Sequence, residues 1–368
     1  MNRPANYRIS SHKKRIGRLV QGLTAFVILW ALIGGLPAHA KAPARISVLI
    51  VTGMPGGTYY HVGLGMASLW TTKLQDEGIR VSAAASEGSR ENIQAIRIAD
   101  ADLILAEDFL CSMAYRGTGL YKGRPVPELR SVTTLWPDAV HFLIRADKKR
   151  TGNIEDLHGL VLATGLPDSG NRLTAEMLVR ILKPSRRKVR LRYMTNMAGA
   201  EALRKGAVQA LDLTGGPPVP LVTTILNEST PALGFLEITD AQLEALRANG
   251  GPFFFRHEIA ARTYPGQEKP IHTIAQPCIL AVTDTLDAEV VYALTRSLYE
   301  NLDYLARVHP ACRSMSLNHA LDTLTVPLHP GAIRYYRERN IEIPERLIPP
   351  ERAQGRKSPT GRDEAQEP

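Results

Sequence analysis

Short β-branched runs take turns with amphipathic stretches along this chain, and the series occurs twice. The first series comprises residues 44–52 (ARISVLIVT), 58–74, 79–85 (IRVSAAA), 89–99 and 101–106 (ADLILA). The second comprises 159–165 (GLVLATG), 173–182, 188–194 (KVRLRYM), 198–205 and 208–216 (VQALDLTGG). Such alternation predicts parallel βαβ units, because parallel neighbours need a crossover long enough to hold a helix. Each series therefore predicts one α/β lobe. The apolar runs at 141–147 (HFLIRAD) and 273–284 (TIAQPCILAVTD) stand where the chain leaves the first lobe and returns to it. Helical patterns over 288–307 and 330–339 complete that lobe. The expectation is lobe one from residues 45–143 plus 276–345 and lobe two from 144–275.

A length of 368 residues accommodates two such lobes, since single cores stop growing near ~250–300 residues. With 44% hydrophobic and 22% charged residues the chain is globular, which excludes a mostly disordered protein. The net charge of +9 looks like a nucleic-acid signal until it is located. Six basic residues (Arg3, Arg8, Lys13, Lys14, Arg15, Arg18) precede residue 41 with no Asp or Glu, so the remainder carries 45 − 6 = 39 basic against 36 acidic residues. A body at +3 by that arithmetic gives no reason to expect a polyanion partner.

The basic stretch precedes an uncharged apolar run at 19–36 and the small-x-small triplet Ala38-His39-Ala40, the pattern of a secretory signal peptide. Residues 1–40 are expected to be a signal cleaved before Lys41, or an uncleaved membrane anchor through 19–36. Either form sends residue 41 onward across the membrane. The odd count of cysteines (Cys111, Cys278, Cys312), none in CxxC spacing, argues against a zinc site and a disulfide scaffold. Residues 349–368 lack apolar periodicity and are expected to be a disordered tail.

Three loops sit at strand-to-helix junctions, where glycine permits close backbone approach and free helix N–H groups favour an anion. They are Gly53–Tyr60 with its GGTYY end (Gly57, Thr58, Tyr59), the loop Ser86–Asn92 containing Glu87 and Ser89, and Pro167–Arg172 containing Asp168, Ser169 and Asn171. The alternative for Ser89, and for Asp168 or Ser169, is a simple helix cap. In open α/β sheets ligands collect beyond the carboxyl ends of strands, so three such loops together point to one binding cleft. Asp108 after ADLILA and Trp136 after SVTTL are two further candidates to reach it. No G-x-S-x-G elbow is present, and His257-Glu258 lacks the histidine that would complete a zinc-protease helix.

The ordered motifs resemble the TAXI-type solute-binding receptors of tripartite (TRAP) transporters over about residues 45–339. They are GGTYY at 56–60, GSREN at 88–92, DLILAED ending at Asp108, AYRGTG at 114–119 and DLHG at 156–159. SGNR at 169–172, GGPPVP at 215–220, YPGQEKPIHTIA at 264–275 and LHPGAIRYYRE at 328–338 follow. The resemblance implies a two-lobed periplasmic binding protein of type II, a Venus flytrap hinged on crossover strands. It further implies a periplasmic receptor that closes on a small solute, mainly small carboxylates such as glutamate, glutamine and oxoglutarate, and passes it to membrane permease subunits. Carried over by position, the pocket residues are Gly57, Thr58, Tyr59, Ser89, Asp108, Trp136, Ser169 and Asn171. Two departures from the family pattern are Glu87 and Asp168, which place carboxylates at loops that commonly receive an acid and are therefore candidate selectors of ligand charge.

Neither catalysis, a cofactor nor a metal is expected. The competing readings are a membrane-anchored sensory receptor without a permease and an enzyme on the same scaffold. Lysine is absent from all three loops, which leaves Schiff-base chemistry without a candidate there.

Overall fold

The computed structural model describes residues 46–182, 188–228 and 232–350. Strand β1 (Ile46–Val51) leads into helix α1 (Thr58–Lys73), β2 (Ile79–Ala84) into α2 (Ser89–Arg97), and β3 (Leu103–Glu107) into α3 (Asp108–Arg116). The long β4 (Leu129–Arg145) then carries the chain into β5 (Val161–Thr164), α4 (Gly170–Ile181), β6 (Arg190–Tyr193), α5 (Asn196–Arg204) and β7 (Ala210–Gly215). Next come α6 (Pro220–Glu228), β8 (Leu233–Leu236), α7 (Asp240–Ala248) and β9 (Phe255–Ile259). The chain returns through β10 (Ile271–Thr283) and ends in α8 (Ala288–Tyr299), α9 (Leu302–Val308) and α10 (Pro330–Glu338).

The strands lie in the order β2-β1-β3-β10-β4-β7-β5-β6, with β8 beside β4 and β9 beside β10. β1 pairs in parallel with β2 and β3, and β5 in parallel with β6 and β7, so each sequence series forms its own parallel half. The antiparallel pair β4 and β10 joins them. Residues Cys278–Val282 of β10 pair with β3, while Ile271–Ala275 pair with β9. Likewise Ala139–Ile144 of β4 pair with β7, whereas its earlier residues pair with β10. The two-lobed α/β architecture with crossover strands is thus written in the pairing itself.

The crossing point has a chemical cause. Pro137 of β4 stands opposite Pro277 of β10, and the register shifts between Pro277 and Ile279. Proline cannot donate to the ladder, so facing prolines loosen the sheet where its two halves meet. Apolar side chains fill each half, and the two cores touch where Phe109 stacks on Phe253 at 3.8 Å between ring centroids. Ile50, Trp70, Leu103, Leu105, Ile279 and Leu294 belong to the first core. In the second half, Leu143 packs with Leu211 and Leu213 on one face, while its neighbours Phe142 and Ile144 pack with Leu162 and Leu178 on the other. That alternation is what a strand buried on both faces requires.

Two expectations are corrected. The run at 141–147 is not a strand of its own; it supplies the end of β4, which begins at Leu129 and continues through Pro137 at the crossing. The helical pattern 288–307 breaks at Asn301, whose Nδ2 donates to the Ser297 carbonyl at 2.8 Å and competes with the helix ladder. All three cysteines are buried and unpaired. Among the described residues no helix is long and apolar enough to cross a membrane. The expected leader at 1–40 and all but the first two residues of the expected tail at 349–368 lie outside the described residues.

Candidate ligand pocket

The carboxyl ends of β1, β3, β5 and β7 converge where the two halves meet, and the strand-to-helix loops close over them. Gly57, Thr58, Tyr59, Glu87, Gly88 and Ser89 line one side of a cavity of about 50 Å³. Ser169, Gly170, Asn171, Asn196 and Thr214 line the other, and Glu107 and Asp138 complete it. The three loops singled out in the sequence are therefore brought together.

Contacts between the halves hold the cleft shut. The Leu221 N–H donates to the Gly56 carbonyl at 3.0 Å, and the Glu91 N–H donates to the Asp168 carbonyl at 3.2 Å. Arg90 donates to the Pro167 carbonyl and pairs with the Asp168 carboxylate at 3.2 Å. Gly88, at φ 131°, lies in a region that L side chains avoid, and a Cβ there would come within 3.6 Å of the Ser169 Cα. This glycine gives the loop its close approach to the opposite half.

The hydroxyls are largely engaged within the protein. Thr58 Oγ1 donates to the Gly216 carbonyl at 2.8 Å, and Tyr59 donates to Asp138 Oδ2 at 2.5 Å. Ser169 Oγ donates to the Leu166 carbonyl at 2.8 Å and accepts from the Arg172 N–H at 3.3 Å, which makes it the cap of α4. Ser89 is no cap, contrary to the simple alternative. Gly88 holds the N-cap position, and Ser89 Oγ accepts from the Glu107 N–H at 3.2 Å. Asn171 Oδ1 accepts from the Thr214 N–H at 2.9 Å, and its NH2 group has no hydrogen-bond partner among the described residues.

Three of the candidates stand outside the lining. Asp108 is buried beneath α3, where it accepts from the Thr325 N–H at 3.1 Å and the Thr325 hydroxyl at 2.7 Å, and burial pushes its carboxyl up to about 6. Trp136 is fully buried behind the pocket, donates Nε1–H to Asp138 Oδ1 at 2.9 Å and meets Tyr59 edge-on at 6.1 Å between centroids. Asp168 is exposed and bound to Arg90. Glu87, by contrast, does reach the cavity, where its Oε2 accepts from the Asp168 N–H at 3.3 Å.

The sequence reading missed the floor of the pocket. Glu107, the last residue of β3, is 3% exposed; its Oε1 accepts from Gln276 Nε2 at 2.7 Å while Oε2 has no partner. Burial, followed by repulsion from Asp138, pushes its carboxyl up to about 8. Asp138 is pushed up to about 7 by burial, against the opposing pull of Tyr59 and Trp136. On β7, Asp212 accepts from Thr164 Oγ1 at 3.0 Å, leaves Oδ1 unpartnered, and is pushed up to about 8 by burial. The available signal was an acidic residue closing an otherwise apolar strand at its carboxyl end, as in LILAE. No cluster of His, Cys, Asp and Glu able to hold a metal ion occurs among the described residues.

Solved structures resemble the chain distantly. An ancestral arginine-binding protein bound to arginine has 10% identity and a TM-score of 0.45, the likeness covering 73% of this chain and 98% of that one. The periplasmic aliphatic sulphonate binding protein SsuA from Escherichia coli has 14% identity and a TM-score of 0.43, covering 80% and 84% respectively. Likenesses this distant fix no ligand. The sequence is more decisive, since the model of the NMT1-like family matches residues 50–339, well over half of the chain. The chain belongs to the NMT1-like family.

Proposed function

We propose that this chain is an extracytoplasmic solute-binding protein, the receptor subunit of a TAXI-type TRAP transporter. It takes a small polar organic solute, an amino acid or small carboxylate, between a lobe of residues 45–143 plus 276–345 and a lobe of residues 144–275. The observation that carries this reading is the meeting of the GGTYY, GSREN and SGNR loops around one cavity, between two parallel half-sheets joined by β4 and β10. Candidate contacts are Gly57, Thr58, Tyr59, Ser89, Ser169 and Asn171, with Glu87 at the edge. Trp136 and Asp108 support the site from behind and from the side.

A cavity of about 50 Å³ is far below the ~300 Å³ of an ordinary ligand pocket, so loading requires the halves to part. Opposed prolines at the crossing supply the soft point, and differential affinity of the solute for open and closed forms sets the population. Neither a Lys nor a Cys nucleophile is among the lining residues, and the Thr58 and Ser169 hydroxyls donate to backbone carbonyls and not to a base, which favours a binding role over nucleophilic catalysis. In the periplasm the closed receptor presents its solute to membrane permease subunits, whether free or tethered through residues 19–36.

Native mass spectrometry of the exported protein, purified without refolding, tests the reading. A stoichiometric, reversibly bound small solute whose addition lowers the radius of gyration is expected. Turnover of that solute, or an unchanged radius at saturation, would sink it.

A further inference from the structure

The proposed reading leaves open whether the solute's buried end is anionic or cationic. Glu107, Asp138 and Glu87 line the cavity, and no lysine, arginine or histidine does. Among the described residues none of Glu107, Asp138 and Asp212 takes part in an ion pair, although all three are buried. Around the floor the unpartnered buried atoms Glu107 Oε2, Gln276 Oε1 and Asp212 Oδ1 are acceptors, while the unengaged donors are Thr214 Oγ1 and the Asn171 NH2 group on the opposite wall. The hydroxyls of Thr58, Tyr59 and Ser169 donate to protein oxygens and so do not offer their protons inward.

An orphaned buried acceptor is destabilising, more so if charged, and is relieved by a donor. A carboxylate taken from water stays ionised only beside a cation that also fills its lone pairs. The N-termini of α1 and α4 at the rim oppose this, since each carries about half a positive charge. Once a cation on the floor lets Glu107 and Asp138 ionise, their unit charges outweigh those partial charges.

Resting on the receptor reading above, we infer that the floor of the pocket is a cation subsite. Glu107 binds the ammonium or guanidinium end of the solute through Oε2, and Asp138 contributes a second negative group. The carboxylate of an amino acid or amino-acid derivative then faces the rim loops. Solutes that are purely anionic, including simple dicarboxylates, are excluded.

The test is calorimetric titration of the exported chain at pH 7 with a cationic set and an anionic set. The cationic set is methylammonium, 1,4-diaminobutane, L-lysine and L-arginine, and the anionic set is acetate, L-glutamate and 2-oxoglutarate. Parent, Glu107→Gln and Asp138→Asn are compared, each first shown to melt cooperatively. Glutamine reproduces the shape of a neutral, protonated Glu107 and therefore separates a charge from a hydrogen-bond donor.

One-to-one binding of a cationic probe, weakened at least tenfold by Glu107→Gln, is the expected result. Should Glu107→Gln fail to fold, the same loss is read from Asp138→Asn. Binding confined to the anionic set, with affinity kept in Glu107→Gln, overturns the cation subsite and leaves the receptor standing with a protonated Glu107 as donor. A neutral co-purified solute that displaces no cation does the same. Absence of binding by either set, together with no co-purified solute, overturns both.

Discussion

A methyl group at Gly170 would lie 1.8 Å from Oε2 of Glu107 and 2.3 Å from its Cδ and Oε1. Real Cβ contacts essentially never fall below 3.0 Å, so the carboxylate and the start of α4 must separate by at least 3.0 − 1.8 = 1.2 Å in Gly170→Ala. The carboxylate has little freedom to swing aside, because Gln276 holds Oε1 at 2.7 Å and Ser89 holds the Glu107 N–H at 3.2 Å. Gly170 and Glu107 belong to opposite halves, so relief comes most readily from parting the halves. Overpacking a filled interior costs about 1–3 kcal/mol. That is about 5- to 150-fold in the closed-to-open ratio, and in the affinity for anything held between the halves.

Titration calorimetry with L-lysine and small-angle scattering at saturating probe read the two consequences. Gly170→Ala should weaken binding within that range and keep a larger radius of gyration than the parent at equal probe concentration. Adding Glu107→Ala removes the obstruction and should restore the compact radius without restoring affinity. Gly199→Ala is the control, because its Cβ would meet Leu211 Cδ1 at 2.8 Å inside the second half and should lower the melting temperature while sparing closure. Parent affinity and parent radius in Gly170→Ala would refute the reasoning.

Without ligand, stability should fall as pH rises from 6.5 to 8. Glu107 and Asp212 are held near 8 and Asp138 near 7, far above their unfolded values, so the folded chain binds more protons across this window. His141, His309 and His329, pushed down to about 4 by burial, bind protons only in the unfolded chain and offset part of the fall near pH 6.5, but by pH 8 they are neutral in both states. Calorimetric melting at the two pH values, with Glu107→Gln plus Asp212→Asn flattening the difference, checks this; a melting temperature that rises instead would contradict it. Trp136 fluorescence should change on closure, because a Cβ on Gly216 would come within 2.5 Å of the indole, and Trp136→Phe should remove most of the signal. Asp108→Ala, which removes a buried carboxylate from the half-buried Thr325 donors, should destabilise by about 1–3 kcal/mol in denaturant melts with affinity unchanged. Lost affinity at parent stability would return Asp108 to the site.

Much of the architecture was legible because periodicity is local. Each βαβ series announces its strands through β-branched runs and its loops through glycine, and the loops at Thr58, Ser89 and Ser169 met at one cavity. Pro137 concealed the continuity of β4, since proline within a strand reads as a break; only its partner Pro277, far along the chain, makes it tolerable. The chemistry of the floor was less legible for the same reason. Glu107 reads locally as the polar end of a strand, and it becomes a buried acid only when Gln276, 169 residues away, and Gly170 from the other half cover it. Asp108, one position later, carries the same local signal but turns into α3 and serves the segment around Thr325. The paired departures Glu87 and Asp168 also part company in space. Arg90 binds Asp168 outside the cavity, while Glu87 lines it, and nothing near either residue in the sequence distinguishes them.

Burial of Glu107 also says what must accompany closure. On the receptor reading, parting the halves returns the carboxylate to water and relieves the burial that pushes it up to about 8 in the closed form. Closing at pH 7 with no cation present therefore demands a proton, a penalty that disfavours the empty closed form. A ligand ammonium or guanidinium supplies the positive charge in place of the proton and removes the penalty, so ligand and closure become coupled through one carboxylate. Asp138 stands beside Pro137, and Gln276, the partner of Glu107, stands beside Pro277. The groups assigned to the cation are thus one residue from the crossing prolines, and on that reading charge neutralised on the floor would act directly on the hinge.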